Sequence, residues 1–405
     1  MFKRAAFAFS VLLCVSAFGA EEPQWLKDAR ARESKSLKPV EIKSKDDWFK
    51  VQTPGKLVKP VEKVEGSYSV ELNIDGDANV HCEVYPEGID LANALRVTLG
   101  NSIKEIETSQ GKIEVRALES TDAGAYGAVP YISLTWLYRV ATPKGAMVGA
   151  LKQFVMEKGK HGVYCAHNDL GFTRTFTAIT RAFADSLQTG EPVVAPQYAE
   201  IATASMSGAK IGVAVTTLER DGDGDTRARQ MTAMLIATND GAVQSQDSTH
   251  INWVRTDGSL INAANSEVSN GELSNSLSLT EEEGTWIVEG EVQGKEVKTT
   301  LPKDSRPGNL VAQAQQLRAL LAEPNPVGRE HTMGIWLAEN PEKLTVAKTK
   351  ILAKQGDQHF TARGELGGLV ADLTLDKANG MASAADIKMG PINMKLERVY
   401  VNGSF

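Results

Sequence analysis

The sequence predicts an α+β protein. Its N-terminal part is an antiparallel sheet with packed helices, and a large curved antiparallel β-sheet or half-barrel with one helix follows. Three observations point there. Apolar residues recur at helical period in only three stretches, 90–106, 172–187 and 309–321. Most of the remaining chain alternates polar and apolar residues between Gly, Asn, Asp and Pro turn signals, the mark of half-buried strands. Helices interleave with strands only before residue 190, so one helix must serve all the strands of the second half.

Residues 1–20 read as a secretory signal peptide: Lys3 and Arg4, an apolar run from Ala5 to Val15, then small residues to Ala20. The run is shorter than the ~20 residues that cross a bilayer. Leu12 and Leu13 make a poor lipoprotein signal before Cys14. Residues 21–45 form a charged lead-in with Trp25 as its one large apolar anchor.

Residues 46–190 form an α/β domain. Trp48 to Thr53 reads as a strand ended by Pro54-Gly55, and 67–74 and 80–85 form a hairpin about Asp75-Gly76. Asp90 opens a helix, and strands follow at 113–118, 129–140, 145–157 and 162–166. His167-Asn168-Asp169 is a turn in which Asn or Asp caps the next helix. That helix places Phe172, Phe176, Ile179, Phe183 and Leu187 on one face, which needs a sheet to pack on.

Residues 191–199 are a Pro-containing linker. Residues 200–405 form a β-rich domain of ten or eleven strands. Its helix aligns Leu310, Ala314, Leu317 and Leu321 and stops before Pro324 and Pro326.

The chain has 405 residues and a formal net charge of −7; loss of Lys3 and Arg4 with the leader makes it −9. That balance argues against a nucleic-acid partner, which calls for a basic face. No later run is long and apolar enough to span a membrane, so a periplasmic or secreted protein is expected. Cys82 and Cys165 remain after leader removal, and an oxidising compartment favours a disulfide between them. A zinc site from His81, Cys82, Cys165 and His167 is disfavoured, because neighbours on a strand point to opposite faces.

Other motifs are weak. Asp221, Asp223 and Asp225 resemble the start of a calcium loop, but Thr226 and Thr232 stand where such a loop needs Gly and Glu. They read as an acidic hairpin turn and at most a weak metal site. Two Ser-x-x-Lys matches, at Ser109 and Ser207, contain Gly and precede strands, which separates Ser from Lys. His161 and His167 flank a strand and read as a surface pair, and Glu330-His331 point apart. No catalytic residue and no cofactor is assigned.

Trp48-Phe49-Lys50-Val51-Gln52-Thr53-Pro54, the Val129-Pro130-Tyr131-Ile132 strand, the Tyr164 strand and the Phe176 and Phe183 helix resemble the PsbP-like and DcrB-like α/β/α fold. The resemblance implies a non-catalytic accessory or binding module. The ending, Leu373-x-Leu375-Asp376-Lys377-Ala378-Asn379-Gly380 and then Met389-Gly390-Pro391-Ile392, is similar to exported bacterial proteins with a lipoprotein-carrier-like half-barrel. That resemblance implies a concave surface for a lipid or acyl chain, lined by Trp253, Trp286, Ile335 and Leu337; the plainer reading packs these four against the helix at 309–321. The expected function is therefore a non-enzymatic binding or accessory protein of the cell envelope, holding an apolar ligand or a protein partner. A hydrolase with Asp and His side chains at the domain junction, and a structural envelope component, are the alternatives.

Overall fold

The structure is a computed structural model that describes residues 23–404 apart from 36, 143–144, 192–194, 239–240 and 391. The signal peptide, Cys14 and the turn residues at 143–144 and 239–240 lie outside the described residues.

The N-terminal part contains α1 (Gln24–Ala31), β1 (Pro39–Lys43), β2 (Phe49–Pro54), β3 (Lys56–Leu57), β4 (Lys63–Val64), β5 (Ser67–Asp75), β6 (Ala78–Tyr85), α2 (Leu91–Ser109), β7 (Ile113–Tyr126), β8 (Val129–Thr142), β9 (Gly145–Lys158), β10 (His161–Asn168), α3 (Thr173–Ser186) and β11 (Gln188–Thr189). Eight strands form one antiparallel sheet in the order β3-β5-β6-β10-β9-β8-β7, with β4 also on β5; β1, β2 and β11 form a small separate sheet. One face of the eight-stranded sheet carries Val70, Leu72, Val84, Phe154 and Met156, and packs on Phe176, Ile179 and Phe183 of α3 and on Phe49 and Val51 of β2. The phenylalanine face of α3 thus finds the sheet that its spacing required.

The α3 cap differs from the sequence reading. Asp169 turns instead to Gly171 N and Arg32. The helix starts after Phe172, which takes φ 62°, and its first N–H groups are served from a distance. Glu33 accepts from Arg174 N and Thr175 N at 2.8 and 2.9 Å. The charged lead-in is therefore tied down by its acid, while Trp25, the expected apolar anchor, is 57% exposed.

The remaining chain contains β12 (Tyr198–Met206), β13 (Ala209–Arg220), β14 (Thr226–Ala237), β15 (Val243–Val254), β16 (Leu260–Ser269), β17 (Glu272–Glu282), β18 (Thr285–Val292), β19 (Lys295–Thr300), α4 (Leu310–Ala322), β20 (Glu330–Trp336), β21 (Leu344–Gln355), β22 (His359–Leu366), β23 (Leu369–Asp376), β24 (Ala382–Met389) and β25 (Ile392–Gly403). These fourteen strands make a single antiparallel sheet that does not close, in the order β19-β18-β17-β16-β15-β14-β13-β12-β25-β24-β23-β22-β21-β20.

The sheet is rolled. His250 on β15 and Trp336 on β20 are nine steps apart across it, roughly 43 Å if it were flat. Their rings lie 6.2 Å apart. Trp336 and its register partner Leu344 join the apolar cluster of Val254, Leu277, Leu279 and Val288. The edge strand β20 therefore tucks against the inner face of β15–β18. Helix α4 plugs one end: Asn309 caps it through Ala312 N and also donates to Gly258 O in the β15–β16 turn. Leu320 and Leu321 pack on Ile351, Phe360, Ala362 and Leu375.

The two sheets share one core. Leu91, Leu95 and Leu99 of α2 lie between Ile132, Leu134 and Trp136 of one sheet and Val213, Met231 and Leu235 of the other. Asp247 on β15 accepts from Ala92 N and Asn93 N at the start of α2. Trp136 Nε1 donates to Gly241 O, and Arg229 pairs with Glu157.

Candidate functional site

The inner face of the rolled sheet can be read row by row from the strand register. One row runs Ile351–Ala362–Leu373–Ala385–Leu396–Ala204–Gly212–Met234–Gln246. Its first members are covered by α4. Beyond α4, the same face shows Leu366, Ile387, Met389, Ile392, Met394 and Leu396, all only half-buried. Their strand neighbours Glu365, Lys388, Asn393, Lys395 and Glu397 are exposed, so the alternation assigns the apolar set to the inside. This apolar wall continues past the residues on which α4 packs.

The opposite wall is polar. A second row on the same face runs Glu200–Thr216–Gln230–His250–Asn265 across β12 to β16. At one end Glu200 accepts from Tyr198 and, with Asp376, holds Arg398, at 3.1 Å from Nη1 and 2.8 Å from Nη2. Burial works against the Arg398 charge, and the two carboxylates outweigh it and raise its pKa. Burial and the Glu200 carboxylate both push the Tyr198 hydroxyl up. Burial lowers the pKa of His250, leaving a neutral imidazole at neutral pH. Gln246 and Asn275 both donate to Glu267, at 2.9 Å each. Outside the apolar cluster around Trp336, the inner surface is therefore amphipathic, apolar on β22–β25 and polar along the row from Glu200 to Asn265 and at Gln246, Glu267 and Asn275.

The four residues proposed as lining do not meet on one surface. Trp286 is 8% exposed and packs in the inner cluster. Trp253 follows Asn252 and precedes Val254, both buried on the inner face, so it lies on the other side of β15. Ile335 and Leu337 are half-buried, and the strand buries Trp336 and Ala338 between and beyond them. The tucking of β20 reverses which of its faces is covered.

Cys82 and Cys165 stand directly opposite each other on β6 and β10 and form a disulfide, with no exposure. His81 turns to the other face and contacts Glu83. His161 and His167 are buried rather than on the surface. Their Nδ1 atoms contact Pro86 O and Asn79 O, and they pack on Trp48 and on Phe172 with Phe176. Glu330 is exposed and His331 half-buried. Asp221 Oδ1 accepts from Asp223 N and Asp225 N, an ordinary turn contact. No group of three or more metal-binding side chains occurs among the described residues.

No protein-family model matches the chain, and no curated protein matches it. Among solved structures it is similar to the crystal structure of a β-barrel-like protein of domain of unknown function DUF1849 from Brucella abortus, at 11% identity and a TM-score of 0.40, covering 51% of this chain and 97% of that one. A likeness that low says nothing about what either protein does.

The polar row escaped sequence reading. Gln230, His250 and Asn265 sit singly in their strands, and only the register brings them together; Asn275 lies one step off the row, opposite Glu267.

Proposed function

We propose that this chain is an exported, non-enzymatic binding protein of the cell envelope whose rolled sheet holds an amphipathic ligand along its inner face. The observation that carries this reading is the uncovered apolar wall of β22–β25. Half-buried Ile387, Met389, Met394 and Leu396 gain by covering their apolar surface, at about 25 cal/mol per Å2. An acyl chain laid along the wall would do this without displacing α4. The buried disulfide fits an oxidising compartment. The N-terminal unit fits the reading as an α+β interaction module of the PsbP-like or DcrB-like kind, with α2 and α3 on its sheet.

Delipidated protein should bind a fluorescent acyl probe saturably. Met394→Glu, which places a charge on the inner wall, should weaken binding at least about tenfold. Asn393→Glu, one residue away on the outer face, should not. No saturable binding, or equal loss in both variants, would sink the proposal.

A further inference from the structure

The polar row ends where the sheet overlaps itself. His250 stands opposite Asn265 there, Asn252 Nδ2 contacts His250 Nε2 at 2.9 Å, and the Trp336 ring lies 6.2 Å from the imidazole. On the next strand Asn275 commits its Nδ2 to Glu267. Three polar atoms of this set are buried without a hydrogen-bond partner: Asn265 Oδ1, Asn275 Oδ1 and Trp336 Nε1. Asn275 and Trp336 are 7% and 2% exposed, so neither reaches bulk solvent in compensation.

We propose that this seam binds an uncharged, hydroxyl-bearing group. Resting on the reading of the inner face as a ligand surface, it is the head-group site of an amphipath whose chain lies on the apolar wall. The two Oδ1 atoms ask for donors and Trp336 Nε1 asks for an acceptor; a hydroxyl supplies both from one atom.

Charge points the same way. The inner-face residues of β15 flanking His250 are Ser248 and Asn252, neither of them cationic. Arg398 is already held by Glu200 and Asp376. Glu267 opposes an anion. A carboxylate or phosphate head therefore finds no partner at the seam, while a neutral polyol does.

The test compares dodecyl maltoside with dodecanoate on delipidated full-length protein, each below its micellar concentration. Dodecyl maltoside should bind about tenfold more tightly. Asn275→Leu and Trp336→Phe should each remove that preference while leaving dodecanoate affinity unchanged. Trp336→Phe keeps an aromatic ring in the core, so it reports even where Asn275→Leu fails to fold. Equal affinity for the two probes, or equal loss of both in a folded variant, overturns the head-group site and leaves the apolar wall standing. Binding of neither probe removes both.

Discussion

The carboxylate of Asp247 caps a helix that begins at Leu91. It accepts from Ala92 N and Asn93 N at 2.9 and 2.8 Å, joining β15 of the large sheet to α2. Asp90, which immediately precedes the helix, makes no side-chain cap. Replacing Asp247 with Ala leaves two N–H groups without an acceptor, and should cost about 1–3 kcal/mol. Urea unfolding midpoints check this.

The same residue sets a pH dependence. Burial raises the Asp247 carboxyl to about 6, against the two N–H contacts that lower it, and nearby Asp90 raises it further. The folded pKa lies above the unfolded value of about 3.9, so folding takes up a proton. This contribution is fully present below about pH 4 and is lost as pH rises through about 6. Wild type should gain on the order of 2 kcal/mol relative to Asp247→Asn between pH 7.5 and 4.5. Parallel stability profiles would remove the assignment.

Cys82 and Cys165 are 83 positions apart in sequence and fully buried. In the chain-entropy picture, losing that cross-link should cost about 4 kcal/mol. Thiol labelling under dithiothreitol should proceed only as fast as the N-terminal sheet opens, because the sulfurs are out of reach in the folded state. Labelling in native buffer at the rate of an exposed disulfide contradicts this.

Arg398→Met should destabilise the large sheet by about 3 kcal/mol, since it leaves the buried Glu200 carboxylate and the half-buried Asp376 without their guanidinium. Arg398→Lys should recover part of that loss, because an ammonium keeps the charge without the two-pronged geometry. Thermal unfolding of the two variants separates charge from geometry.

Gly380→Ala tests the seating of α4. Gly380 has φ 72°, and a Cβ there would come within 2.2 Å of Ala314 O on the helix. Both the backbone conformation and the close approach exclude a side chain. We expect a loss of at least about 2 kcal/mol, and faster amide exchange in α4 than elsewhere.

Legibility in the sequence followed the strength of the pattern. Residues 309–321 gave α4 almost to the residue, because Leu310, Ala314, Leu317 and Leu321 repeat at helical period after a capping Asn. β12 was missed because Tyr198–Met206 follows a Pro-containing stretch and carries small residues. β16 was missed because Asn262, Asn265 and Glu267 break its alternation. Part of that break has a physical origin: Asn265 and Glu267 make the inner face polar at β16, so two of the residues that hide the strand also mark the candidate site. The assignment of Ile335 and Leu337 to a lining failed differently. Alternation gives two faces but not which one is covered, and β20 is covered on the face that carries Trp336.

Strands β12 and β25 are neighbours in the middle of the large sheet, with Tyr198 opposite Gly403. The sheet is thus two meanders that meet at this one junction. Neither half can bury its junction strand until the other arrives, and the closing contact spans the whole unit. Folding should be slow for its size, as it is for any chain whose decisive pairing is so far apart in sequence. Until β25 forms, β12 is paired with β13 along one edge and open along the other. Late completion of the large sheet is therefore written into the strand order. Loss of β25 alone should expose two long edges and lead to aggregation instead of a smaller folded protein.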